Sequence, residues 1–215
     1  MKGPLRRWAT DAALTHSVRL GARLLPHVVT QVPGGALTFD DGPHPASTDA
    51  VVDALGTTHG AFFLLADRAG AHPALVRRLA EAGHTIALHG PAHVDLWRTR
   101  FEEPAWADAR HRLEDLSGTQ VRYVRPPHGH ITSALFRFAR RADLTVVLWD
   151  VMPGDFLRGA SADSIAATTR RLSRPNSIVA LHDAGSTVAV AVPAVRQLVA
   201  ERTWGGLSGR LDDSI

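Results

Sequence analysis

The sequence predicts an α/β fold in which parallel strands alternate with helices and the sheet closes toward a barrel. Two observations carry this expectation. Six short apolar runs, at Ala36–Phe39, Ala61–Leu65, Thr85–Leu88, Val121–Val124, Leu144–Trp149 and Ser177–Leu181, are separated by segments with helical periodicity. Parallel neighbours need a crossover connection, so strands that alternate with helices pair in parallel. In addition, no glycine-rich phosphate loop follows the first run, and six or more units in one domain favour barrel-like closure over a dinucleotide-binding sheet.

Each helix carries its own punctuation. Val51, Val52 and Leu55 follow the N-cap candidates Ser47, Thr48 and Asp49, and Gly56 stops that helix. Leu75, Val76, Leu79 and Ala80 share a face between Pro73 and Gly83, and Trp106, Leu113 and Leu116 lie between Pro104 and Gly118. Thr132-Ser133 precedes Leu135, Phe136 and Ala139, and Ser161 precedes Ile165 and Leu172. A last helix is expected over Val195 to Val199, starting near Pro193. The domain is expected to span 36–215. Residues 1–35 read as a basic amphipathic extension, with Leu5, Trp8, Leu24 and Leu25 among Arg6, Arg7, Arg19 and Arg23.

Composition narrows the function. At 215 residues, with 45% hydrophobic and 21% charged residues, the chain suits one soluble globular domain. The apolar runs are strand-sized, so no transmembrane helix is expected. Arg19, Arg23 and Pro26 interrupt the first apolar stretch where a signal peptide would be continuous, which favours a cytoplasmic location. The amphipathic segment fits packing on the protein surface better than peripheral membrane contact. The pI near 10.4 accompanies a net charge of only +3, and the arginines are dispersed, so no nucleic acid partner is expected. Cysteine is absent, so a transition-metal site must use nitrogen and oxygen donors, and there are 12 histidines.

The unusual polar residues fall just after the predicted strands, and in a parallel barrel all those ends open on one face. Asp40-Asp41 follows Phe39, His89 and His93 follow Leu88, and Arg125-Pro126-Pro127-His128-Gly129-His130 follows Val124. Asp150 and Asp155 follow Trp149, and His182-Asp183 follows Leu181. Two histidines and one carboxylate give a three-ligand site of the catalytic zinc type, and either Asp40 or Asp41 supplies the carboxylate. The other is then free to act as a base. Arg125, ahead of two stiffening prolines, suits pairing with a carboxylate. His182 suits proton donation to a leaving group, and Asp155 suits orienting either His182 or Arg125.

Taken in order, the motifs Thr38-Phe39-Asp40-Asp41-Gly42-Pro43, His89-x-x-x-His93, Arg125-Pro126-Pro127-x-Gly129, Trp149…Asp155-Phe156 and Leu181-His182-Asp183 make the sequence resemble the polysaccharide deacetylases of the NodB-homology type, carbohydrate esterase family 4. The resemblance covers Thr38 to Asp183. It implies a distorted (β/α) barrel of about seven parallel strands, a divalent metal, usually Zn2+, and hydrolysis of N-acetyl groups on an amino-sugar glycan. Asp40 matches the family's catalytic base, and Asp41, His89 and His93 match its metal ligands. Arg125 matches the arginine that tunes the base, His182 the general acid and Asp155 the motif-four carboxylate. His128 matches the substrate-contacting residue whose backbone N–H helps hold the oxyanion.

Four residues depart from the family pattern: Gly90 where Ser or Thr is usual, His128 where Tyr or Phe is usual, and Met152 and Phe156 where many members have Asp and Trp. They bear on how the metal loop is braced and on the wall of the substrate groove. Two rival readings keep the same residues. One is hydrolysis of another amide or ester on the same metal site; the other is a sugar-binding module without turnover.

Overall fold

A computed structural model of the chain describes residues 27–207. Seven strands form one parallel sheet: β1 (Val28–Val29), β2 (Ala36–Asp40), β3 (Ala61–Leu65), β4 (Thr85–Gly90), β5 (Tyr123–Val124), β6 (Thr145–Val147) and β7 (Ile178–His182). Their spatial order is β1-β6-β5-β4-β3-β2-β7. The helices are α1 (Ser47–Leu55), α2 (Ala66–Ala71), α3 (Pro73–Glu81), α4 (Glu103–Ser117), α5 (Ser133–Arg141), α6 (Ala162–Leu172) and α7 (Val188–Glu201). None of the described helices is long and apolar enough to cross a membrane.

Alternation along each strand builds two apolar layers. Leu37, Phe39, Phe62, Leu64, Leu88, Val146 and Leu181 face the helices, together with α4 and α5 residues such as Leu113 and Leu135. Ala36, Ala61, Phe63, Ala87, Val147 and Ala180 face the inside of the curled sheet. The alanines leave room there for the larger Phe63, Tyr123 and Trp149. The same alternation turns Thr38 and Asp40 on β2, His89 on β4 and Arg125 just past β5 away from the helix layer, and all four are buried.

Among the described residues the barrel is closed by tethers and isolated bridges and not by a strand pair. Gln31 bridges Ser177 in antiparallel fashion, and Val151, after β6, bridges Val179 of β7 in parallel. Asp150 Oδ2 accepts from Gln31 Nε2 at 2.9 Å and from Ser177 Oγ at 2.8 Å, so a buried carboxylate ties both seams. This is the physical content of the expected distortion.

Most expected elements are present, with shifted ends. Four differences stand out. The expected run Leu144–Trp149 pairs only over Thr145–Val147, because the following residues leave the sheet to make the closing tethers. The α1 N-cap is Ala46, with no side-chain cap, and Ser47 is the first helical residue. The last helix begins at Val188, a turn and more before the expected start, and carries Pro193 inside it. Within the segment read as an extension, Val28–Val29 form β1 on the β6 edge; residues 1–26 lie outside the described residues.

Candidate active site

The two adjacent carboxylates leave β2 in different directions. Asp40 ends the strand, in register with His182 on β7 and Phe63 on β3, and its side chain is buried on the inner face. Asp41 lies beyond the strand with φ 75°, a left-handed conformation that an Asp tolerates better than most residues. Arg68 of α2 steadies it by donating from Nη1 to the Asp41 carbonyl at 2.6 Å.

Arg125 is fully buried and makes four side-chain hydrogen bonds. It donates from Nη1 to Asp40 Oδ1 at 2.7 Å and to Thr38 Oγ1 at 2.8 Å. Its Nε and Nη2 donate to the Val147 and Leu148 carbonyls, both at 3.0 Å, and its guanidinium lies 4.0 Å from the Phe63 ring centroid. Burial pulls its pKa down against the attraction of Asp40, but an arginine stays charged throughout the accessible range. The Val147 and Leu148 carbonyls at the end of β6 thus fix the direction of the guanidinium.

Asp41, His89 and His93 converge, with ligand atoms all within 4.8 Å of one another. Asp41 Oδ1 lies 3.3 Å from Nε2 of both histidines. His89 donates from Nδ1 to the Arg125 carbonyl at 2.8 Å, and a carbonyl can only accept, so in the neutral ring Nε2 carries the lone pair. That lone pair faces a carboxylate oxygen which is buried and takes no hydrogen bond among the described residues. Acceptors so placed repel unless a proton or a cation lies between them. An imidazole braced by a backbone carbonyl is the usual support of a metal ligand, so this donor set fits a divalent cation. Burial pushes Asp41 up, but the contact with His89 and the nearby His182 and His93 rings outweigh it and hold the carboxyl well below the usual carboxylate range. Burial lowers the His93 pKa against the pull of Asp41, favouring the neutral ligand form.

Across from Asp40, at the end of β7, Asp155 accepts from the His182 backbone N–H at 2.8 Å and from its Nδ1 at 2.9 Å. The carboxylate therefore orients His182, and Arg125 is left to Asp40. Burial opposes the charged ring, yet Asp155, with Asp40 and Asp41 behind it, lifts the His182 pKa to about 9. His128 sits in a single 3₁₀ turn, Pro127–Gly129, with φ 60°, and its N–H has no acceptor among the described residues. Its ring packs edge-on against His93, with centroids 4.6 Å apart.

Several residues given no part in the chemistry by the sequence support the site. Thr38 Oγ1 accepts from Arg125 and donates to the Val179 carbonyl at 2.8 Å. Thr48 donates to Asp183 Oδ2 at 2.6 Å, and burial pushes that carboxyl up to about 7, opposed by the Thr48 bond and aided by repulsion from Asp41. A Cβ on Gly42 would stand 2.4 Å from this carboxylate, which is why glycine follows the Asp pair. His44 contacts the Pro45 carbonyl and the Ser47 hydroxyl at the start of α1 through Nδ1.

Gly90 now has a reason. Its φ is 115°, and a Cβ there would lie 3.1 Å from the Trp106 ring, which occupies the space that a hydroxyl side chain would need. Restoring the family residue with Gly90→Ser is expected to destabilise the protein by ~1–3 kcal/mol, read as a lower melting midpoint. An unchanged midpoint would show that Trp106 and the loop adapt freely.

The family model for polysaccharide deacetylase matches residues 29–147. The chain is 33% identical over 166 residues to a chitooligosaccharide deacetylase of Sinorhizobium fredii, covering 75% of this chain and 77% of that one. It is 32% identical over 151 residues to a peptidoglycan-N-acetylglucosamine deacetylase of Bacillus cereus, covering 68% of this chain and 54% of the relative. Among solved structures it superposes on the Bc1960 peptidoglycan N-acetylglucosamine deacetylase with a TM-score of 0.77 and 28% identity, covering 81% of this chain and 86% of that one. The chain belongs to the polysaccharide deacetylase family, hydrolases acting on carbon–nitrogen bonds other than peptide bonds.

Proposed function

We propose that this protein is a zinc-dependent deacetylase of N-acetylated amino-sugar glycans, of the chitooligosaccharide or peptidoglycan type. One observation carries the reading. The three-ligand cluster of Asp41, His89 and His93 is flanked by two preset groups of opposite role, the Asp40–Arg125 pair and the His182–Asp155 pair. A binding module has no use for both.

Asp41, His89 and His93 are the ligands we assign, and nitrogen–oxygen donors in this number suit Zn2+. When bound, the cation polarises the acyl carbonyl and makes water acidic enough to attack near neutral pH. Asp40, aimed by Arg125, takes the proton of the attacking water. The N–H of His128 is the backbone donor assigned to the oxyanion that develops on the acyl group. His182, its ring fixed by Asp155 and protonated at neutral pH, gives a proton to the amine as the C–N bond breaks. Acetate and a free amino sugar leave.

The protonation of His182 sets an alkaline limit. Its folded pKa, about 9, lies above the ordinary 6.5, so the acid form is present below and is lost as pH rises through about 9. The charged pair's contribution to stability follows the same sign: complete below 6.5 and fading through the folded value. Asp155→Asn removes the main group that raises this pKa, so the alkaline limb of kcat/KM is expected to move to lower pH. A limb that stays in place would remove His182 from the acid role.

Acetate release from N-acetylglucosamine oligomers and from peptidoglycan, assayed with purified protein, tests the function itself. Release from either supports the proposal, and release from neither contradicts it.

A further inference from the structure

One exposed aromatic beside the candidate site has no part in the chemistry above. Trp97 is 68% exposed, yet it is fixed from several sides. Its backbone N–H donates to Asp95 Oδ1 at 2.9 Å, and its Nε1 donates to the Ile131 carbonyl at 3.4 Å. One face of the indole lies flat on the His130 ring, with centroids 3.7 Å and planes 1° apart. His130 is held in turn by Asp95, Nδ1 to Oδ1 at 2.6 Å. With one indole face covered by His130 and the side chain so exposed, the other face is open to solvent. The ordering that a flexible tryptophan would undergo on binding is already done, which is how preorganisation raises affinity.

This platform is continuous with the site. His130 lies 5.4 Å from His128, and His128 lies 4.6 Å from His93, so short ring contacts link the indole to the metal cluster. Beside the other flank, Phe156 is 46% exposed and meets His182 edge-on at 5.3 Å. Exposed rings thus border the cluster on the His93 and the His182 sides. A rigid indole with one free face offers a large apolar surface at low entropic cost. The C–H face of a pyranose ring matches such a surface, and its hydroxyls find polar partners at the edge of the ring.

We propose that Trp97 is a stacking platform for a sugar unit linked to the one that is deacetylated, holding the glycan at a second point. The platform stands on the geometry of Trp97, Asp95 and His130; the identity of its ligand rests on the deacetylase reading.

The test measures binding apart from turnover, in an Asp40→Asn background, with the N-acetylglucosamine tetramer and with the monosaccharide as probes. Trp97→Ala is expected to weaken tetramer binding roughly tenfold or more and to leave monosaccharide binding nearly unaltered. Trp97→Phe, which keeps a ring and serves as the folding control, is expected to recover most of the lost affinity. Equal weakening of both probes, or unchanged tetramer affinity in Trp97→Ala, overturns the platform. Acetate release by the parent chain separates the two readings. Trp97-dependent tetramer binding without acetate keeps the platform and overturns the deacetylase, and acetate release with Trp97-independent affinity does the reverse.

Discussion

Replacing Asp40 by Asn lowers turnover by ~10²–10⁴, the usual contribution of a positioned general base. Asn keeps the size of the side chain and an oxygen that Arg125 can still reach, so the shape of the site is kept while the negative charge is lost. The neighbouring cluster of Asp41, His89 and His93 is untouched by the exchange, so metal content per chain is expected to match the parent's. Parallel measurement of acetate release and bound metal separates the roles of the two adjacent carboxylates. Parent-like turnover in Asp40→Asn would take the base role away from Asp40. A loss of metal along with turnover would place Asp40 among the ligands.

Arg125→Met is the substitution with the largest expected effect on the fold. It leaves Asp40, whose side chain is 4% exposed, without its 2.7 Å partner. It also strips the donors from the Val147 and Leu148 carbonyls. Removing one member of a buried ion pair costs about 3–5 kcal/mol, which in a chain of this size lowers the melting midpoint by roughly 10 °C. Lysine does not restore it, because a single ammonium cannot serve two carbonyls, a hydroxyl and a carboxylate in different directions. The double variant Asp40→Asn/Arg125→Met is expected to cost less than the two single costs together, because the uncompensated charge is gone. Additive costs would show that the pair is not coupled.

Much of the architecture was legible because the strands are long enough to display their pattern. Ala61–Leu65 is found with its expected ends, and the Ser161 and Thr132 signals mark real N-caps. β1 was not legible, since two valines between His27 and Thr30 make no periodic signal. Proline favours the first turn, which points to Pro193 as the start, yet the helix begins five residues earlier, behind its N-cap Thr187. Barrel closure by Gln31, Ser177 and Asp150 depends on residues far apart in sequence, which no local pattern announces.

The candidate site divides in the same way. Its residue types and their order were readable, but which Asp faces which partner was not, since spacing treats Asp40 and Asp41 alike. Strand alternation resolves it: Asp40 shares the inner face with Thr38 beside Arg125, and the left-handed turn at Asp41 points its carboxylate to the histidines. The stack of Trp97 on His130 joins two loops and was invisible for the same reason as the tethers.

The most direct measurement is acetate release from N-acetylglucosamine oligomers before chelation, after chelation and after Zn2+ is restored. The account predicts release that is lost with the chelator and regained with Zn2+ in the parent, with no regain in Asp41→Ala. Full release in chelator, or regain by Asp41→Ala, would contradict it.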